Sequence, residues 1–460
     1  MILQTLPDPY PLASQALNQL LALGGAYSPS ISHFEGHSNL NAKQFFLTGW
    51  AQSDQVVSWR IRTPTPGPYR CALLLNSAPG RQLMVQTDRG TQIVTVPNHG
   101  WQRLEAEAPI DLAGTDRIRL RLVESVEPAV ELKSIELVHQ GEAPRLAERV
   151  RRFRGDASWM KEAGYGIMVQ VGGWSYPATG DKKPWPGFAE TFDAEAFVDS
   201  IAAMGGQYLV WSATWCDYLF PAPSAAIAQI LPQRVSRRDL IDELIEHCRR
   251  RGIRFVLYYH LGHDQPEVLL AKGWQAGWDQ DGRDRSAWLD CEEDIFRQIG
   301  QRYGRGLDAI FLDDACCWYP ANFESLGAAL KTGYLERLIG YNSWILPSHT
   351  PFQDFYCGEG FTGAATPWPL EDGVIAEGPQ QGLQMWGCCI FDGPDWGVHR
   401  PETQIDPPRD WTVDKIAAMV PRLEQERYSM VFNLLAYEDG RFAPDSYHLL
   451  CQAARRLGRA

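Results

Sequence analysis

The sequence predicts an α/β protein, a (β/α)8 TIM-type barrel preceded by an all-β sandwich. Two patterns carry that prediction. After residue 156, about eight short apolar strands alternate with amphipathic helices, the signature of a parallel sheet closed by crossover helices. Before residue 140, short alternating runs are separated by turn residues about every 8–12 positions, as in a β-sandwich. The 460 residues suffice for about two to four domains. A hydrophobic content of 45% with 22% charged residues is that of a globular chain.

The first 25 residues read as a helical segment, with a helix over Leu12–Leu23 that stops at Gly24-Gly25. Residues 26–140 read as the sandwich. Its strands are Val56–Ile61, Tyr69–Leu75, Leu83–Gln86, Gln92–Val96, Ile118–Val123 and Val130–Val138, separated by turns such as Pro66-Gly67-Pro68 and Asp88-Arg89-Gly90. Residues 141–156 form a basic linker or linking helix with Arg145, Arg149, Arg151, Arg152 and Arg154, read as a solvated face. Residues 157–460 form the barrel. Its strands are expected at Gly166–Val171, Gln207–Ser212, Arg254–Tyr259, Ala309–Leu312, Ser343–Leu346, Asp354–Tyr356, Gly382–Ile390 and Met430–Leu435. Helices are expected at Phe192–Met204, Arg238–Arg251 (ending at Gly252), Trp288–Tyr303 and Trp411–Gln425.

Composition narrows function. A net charge of −13 argues against a general nucleic-acid partner, which requires positive charge to displace counterions. No apolar run is long enough to cross a bilayer, so no membrane partner is expected. The N-terminus shows no basic, apolar and cleavage-site series, which points to a cytoplasmic protein. The ten cysteines include two vicinal pairs, Cys316-Cys317 and Cys388-Cys389, and no CxxC; buried free thiols are the expected state. No GxGxxG or GxxxxGK[ST] follows a strand, and no cofactor is expected.

In such a barrel, chemistry sits at the carboxyl ends of the strands. Those ends carry aromatic residues interleaved with acids: Trp174 after the first strand, Trp215 and Asp217 after the second, His260 and His263 after the third, Asp313-Asp314 and Trp318 after the fourth, then Glu359, Asp392, Asp395 and Trp396. Aromatic faces with a few carboxylates suit a sugar ring, so an oligosaccharide or glycoside is the expected partner. Ile310-Phe311-Leu312-Asp313 buries an apolar strand and delivers a carboxylate to the barrel mouth. Asp313 is the expected nucleophile, with helix capping as the alternative for its neighbour Asp314. Glu359 is the expected acid/base, with Asp217, Asp392 and Asp395 in reserve. Gln170, Asp217, His260 and His263 are expected to hold hydroxyls, and Trp174, Trp215, Trp318 and Trp396 to line the subsite, with Trp185, Trp274, Trp278 and Trp368 as further wall residues. No metal site is expected: His260 and His263 stand at i, i+3 in a loop, a weak ligand spacing.

Several blocks, in order, resemble the glycoside hydrolase family 29 α-L-fucosidases. They are Trp159–Val169, Phe192–Phe197 with Gly205–Tyr208, Ser236–Leu240, Gly252–Tyr259, Tyr303–Asp313, Asp395-Trp396-Gly397 and Phe432–Leu435 with Asp439-Gly440. The resemblance spans roughly residues 157–458. It implies a retaining, exo-acting hydrolase of a terminal α-L-fucoside or related sugar and assigns the nucleophile to Asp313. The chain departs from the family at Gln170-Val171-Gly172, at Ala213–Tyr218 where both fucose-binding histidines are replaced, near Asn342-Ser343-Trp344 where an arginine is expected, and near Met385-Trp386. Those departures keep open a glycosidase of other specificity, an inverting enzyme, or an inactive carbohydrate-binding barrel. The sandwich segments Val57-Ser58-Trp59 and Pro66–Tyr69 resemble strands of carbohydrate-binding modules. Oligomeric state is not legible.

Overall fold

The computed structural model describes residues 9–37, 43–63, 65–215, 218–260, 286–313, 323–342, 350–361, 366, 368–377, 380–393 and 395–459. The N-terminal region is two stacked β-sheets. One runs in the order Tyr10–Pro11, Val56–Arg62, Arg117–Leu122, Gln82–Thr87, Gly90–Thr95. The other runs Gly100–Glu105, Pro68–Ser77, Val130–His139, Lys43–Trp50, Ser32–His37. Period-two patterning builds the core between them: Val57, Trp59 and Ile61 point inward on one strand, Ile118, Leu120 and Leu122 on its neighbour.

The expected helix over Leu12–Leu23 is overturned. Asn18–Leu21 is a fully buried strand paired antiparallel with Ser134–Leu137, followed by a single 3-10 turn at Ala22–Gly24. The leucine spacing imitates a helical face. The open side of Val130–His139 offers backbone partners that a short isolated helix cannot match. The Asn18 side chain closes the preceding turn, binding Ala13 N at 2.6 Å and Ala13 O at 3.0 Å.

The linking segment is a helix, α1 (Ala143–Phe153). Its arginines pair with acids: Arg151 and Arg152 with Glu148, Arg149 with Glu324 across to the barrel. Leu17 and Val138 of the sandwich, Leu146, Val150 and Phe153 of α1, and Phe352 of the barrel form one apolar junction.

The barrel is closed by eight parallel strands: β1 (Tyr165–Val169), β2 (Tyr208–Thr214), β3 (Arg254–His260), β4 (Ala309–Asp313), β5 (Leu338–Asn342), β6 (Phe355–Glu359), β7 (Gln384–Ile390) and β8 (Ser429–Asn433). Each pairs with the next, and β8 pairs with β1. Residues two apart share a face. Met168, Val210, Val256, Phe311, Trp386, Cys388 and Val431 fill the interior, whereas Val169, Trp211, Leu257, Ile310 and Phe432 pack outward against the helices. The strand expected at Ser343–Leu346 lies instead at Leu338–Asn342; residues 343–349 are outside the described set. Gly340 weakens the strand signal there, and the close packing explains it: a Cβ at Gly340 would stand 2.1 Å from the Phe355 ring. The helix Leu240–Arg250 is followed by Gly252 at φ +70°, the conformation glycine adopts most readily.

At the end of the barrel facing the sandwich, Asp354 accepts from Gly155 N and Ile339 N, both at 2.7 Å, and pairs with Lys331 at 3.0 Å. Both side chains are buried. Asp354→Ala strands a buried ammonium and two backbone donors, so it is expected to cost about 3–5 kcal/mol of stability, read as a lower urea midpoint.

Candidate active site

Side chains that project inward at the carboxyl ends of the strands meet at the barrel mouth. His260, Asp313 and Asn342 are register partners on β3, β4 and β5. The Asn342 amide Nδ2 donates to Asp313 Oδ1 and to Glu359 Oε2, each at 2.7 Å. Carboxylate oxygens only accept, so the amide must turn its nitrogen toward both. Two bonds of 2.7 Å from one nitrogen leave those oxygens at most 5.4 Å apart. Tyr258, two residues before His260 on the same face, donates its hydroxyl to Asp313 Oδ2 at 2.5 Å. Asp313 is thus held at both oxygens, and Glu359 at one by the same amide.

One strand irregularity shapes the wall. The β2–β3 register slips between Ser212 and Thr214. The bulge aligns Thr214 with outward-facing Tyr259 and turns Trp215 into the mouth. The Trp215 ring lies 5.8 Å from Tyr258 at 13°, 5.1 Å from His260 and 5.3 Å from His399. Trp215 and Trp396 are half-buried against the barrel interior. His399 arrives on the loop after β7. That loop runs against the end of β1, where a Cβ at Gly397 would stand 2.9 Å from Gln170 O.

The structure therefore joins Asp313, Glu359, His260 and Trp215 at one mouth, with Trp396 bordering it. Gln170 stands just past β1, 3% exposed. Trp174 is buried at 6%, its ring over Gly172. Asp217, His263, Trp318, Trp274 and Trp278, and the neighbour Asp314, lie outside the described residues. Trp185 packs over Gly173, and Trp368 meets Tyr356 edge-on at 4.8 Å. The reserve acids stand apart from the bridged pair: buried Asp392 accepts from Leu435 N and Ser446 Oγ, and exposed Asp395 caps Trp396 N.

Sequence reading missed Tyr258, Asn342 and His399 as site residues. Tyr258 was findable, since it sits two before His260 and must share its face. Asn342 required the correct β5, and nothing in the chain marks His399.

Behind β3, Glu292 on the helix Ser286–Tyr303 accepts from Tyr218 at 2.5 Å and Tyr259 at 2.8 Å. It ties the segment after β2 to the strand that carries Tyr258 and His260. Burial pushes its carboxyl up to about 7, and burial pushes Asp392 up to about 6.

A closed parallel barrel with a hydrogen-bonded carboxylate pair and an indole wall at its mouth is the arrangement of a barrel glycosidase. The Alpha-L-fucosidase family model matches residues 155–318, from the start of the barrel through β4 and Asp313. This segment is a glycosidase domain of the α-L-fucosidase type. Among solved structures, the α-L-fucosidase AlfC from Lactobacillus casei in complex with α-L-fucose is 18% identical, with 65% of this chain and 98% of that one covered and a TM-score of 0.47. A glycoside hydrolase family 29 α-L-fucosidase from Bacteroides thetaiotaomicron, trapped as a covalent intermediate, is 15% identical, with 66% and 75% covered and a TM-score of 0.43. No curated protein matches the chain. Among the described residues no helix is long and apolar enough to cross a membrane.

Two expectations follow. Asn342→Leu keeps the volume and removes both donors; released carboxylates are expected to lower kcat about 100-fold, the scale of a 1 Å misplacement, with little change in melting temperature. For Glu292 and Asp392 the folded chain holds protons that the unfolded chain has released between roughly pH 4 and 7. Their ionisation therefore lowers stability as pH rises across that window and is complete above it. Glu292→Gln is expected to raise the melting temperature at pH 8 and to leave it near the native value at pH 5.

Proposed function

We propose that the chain hydrolyses a terminal α-L-fucoside or a closely related sugar with retention of configuration, acting from the chain end. Asp313 attacks the anomeric carbon while Glu359 protonates the departing glycosidic oxygen. A glycosyl ester on Asp313 forms and the aglycone leaves as an alcohol. Water then attacks the same carbon, gives its proton to Glu359 and frees Asp313.

The observation that carries this reading is the Asn342 bridge. A separation of at most 5.4 Å between the bonded oxygens matches the 5–5.5 Å of retaining enzymes and lies below the 6.5–9.5 Å that an inverting enzyme needs to admit water. Two ionised carboxylates at that distance would repel by about 3 kcal/mol at an effective dielectric near 20, which favours the singly charged pair that a nucleophile and a proton donor require. Trp215 offers an indole face to the ring's C–H surface. Oδ2 of Asp313 is held by Tyr258, so the nucleophile is aimed before substrate arrives.

The test is an aryl-glycoside panel containing α-L-fucoside, α-L-arabinoside, β-D-galactoside and α-L-rhamnoside, with Asp313→Ala in parallel and the first-formed anomer read by proton NMR. Release from the α-L-fucoside, loss of at least about 1000-fold in the variant and an α-anomeric product are expected. Activity retained by Asp313→Ala removes the nucleophile assignment, a β-product removes retention, and sugar binding without turnover identifies an inactive barrel.

A further inference from the structure

The register of the barrel places four inward side chains on one level. Hydrogen-bonded partners around a TIM-type barrel drop by about one residue per strand, so side chains two strands apart are level when the second lies two positions beyond the register partner of the first. Ser212 partners Tyr258, which partners Phe311, and Asp313 is two beyond. Asp313 partners Asn342. Tyr341 partners Tyr356, so Asn342 stands beside Cys357, and Glu359 is two beyond. Glu359 partners Cys388, which partners Val431, and Asn433 is two beyond. Asn433 partners Met168, which partners Val210, and Ser212 is two beyond, so the circuit closes. Ser212, Asp313, Glu359 and Asn433 thus form one four-residue layer from the even strands. The carboxylates occupy one half of it, and Ser212 and Asn433 the other.

That second half carries unused acceptors. Ser212 Oγ and Asn433 Oδ1 are both buried and have no hydrogen-bond partner, and the two residues are 1% and 0% exposed. The Asn433 amide nitrogen donates to Trp396 O at 3.0 Å, which fixes the amide's orientation and leaves Oδ1 committed to nothing. Gln170 Oε1, just past β1 between these two strands, is also buried without a partner. A buried polar oxygen left unpaired is costly, and such atoms in a native chain call for a ligand or an ordered water.

We propose that Ser212 and Asn433 are specificity-determining residues that accept hydrogen bonds from two hydroxyls of the sugar ring lying against Asp313 and Glu359. The class of ligand is a monosaccharide unit with at least two free ring hydroxyls. The proposal rests on the glycosidase reading above and adds to it which side chains choose the sugar. A layer whose buried acceptors await hydroxyls discriminates against a ring that lacks them, because the acceptors are then left unpaired.

The test is a cycle of protein variants against substrate variants. kcat/KM is measured for the native chain, Ser212→Ala, Ser212→Thr and Asn433→Ala on aryl α-L-fucoside and its 2-, 3- and 4-monodeoxy analogues, with folding checked by melting temperature. Ser212→Ala is expected to lose about 10- to 100-fold on the parent glycoside and nothing further on one monodeoxy analogue. Ser212→Thr, which keeps the hydroxyl, restores most of the loss. Asn433→Ala shows the same pattern with a different analogue. Equal losses on the parent and all three analogues, or no loss, overturn the proposal while leaving the hydrolase reading intact. If the native chain hydrolyses none of the four glycosides, the hydrolase reading fails by itself. The same cycle is then read as Kd by calorimetry with L-fucose and its deoxy forms, where non-additive losses support the hydroxyl contacts and additive losses or absence of binding overturn them.

Discussion

Closure of eight parallel strands is the constraint on which the rest depends. Once β8 pairs with β1, every strand is fully hydrogen-bonded, alternate residues must face inward, and the stagger between strands fixes which of them share a level. Apolar side chains fill the lower interior, where Phe311, Trp386 and Val431 pack together. The same alternation, carried to the strand ends, delivers His260, Asp313, Asn342, Glu359 and Asn433 to the mouth. The polar layer sits on a packed core, not on loops, and so inherits the rigidity of the sheet.

Within that frame the Asn342 amide acts as a spacer between two groups that would repel. It sets the distance that the chemistry requires, and Tyr258 from the adjoining strand fixes the remaining oxygen of Asp313. An arginine at this position would bring a full positive charge between the acids. A neutral amide gives hydrogen bonds without it, so the net negative charge of the pair stays available to a positively charged transition state. The tyrosine pair on Glu292 does comparable work behind β3, holding the strand that carries Tyr258 through hydrogen bonds to a buried carboxyl.

The sequence made some of this legible because the physics was local. Ile310-Phe311-Leu312-Asp313 is a buried strand ending in an acid whatever surrounds it, and the helix Leu240–Arg250 carries its own stop signal at Gly252. The failures were non-local. Asn18–Leu21 has leucine spacing that suits a helix, yet becomes a strand because Val130–His139 has a free edge. β5 was displaced because Gly340 looks like a strand breaker until Phe355 is seen lying against it.

By itself, then, the sequence determined the class of the protein: β–α alternation, an acid at the end of the fourth strand, indoles and carboxylates at strand ends, and motif blocks of a fucosidase-type barrel. Only the tertiary structure decided how these residues act together. Register placed Ser212 and Asn433 level with Asp313 and Glu359, a bulge after Ser212 turned Trp215 inward, and a loop brought His399 to its ring. The physical reason is that alternation and propensity are properties of neighbouring residues, whereas the level at which two strands meet is set by closure of the whole sheet.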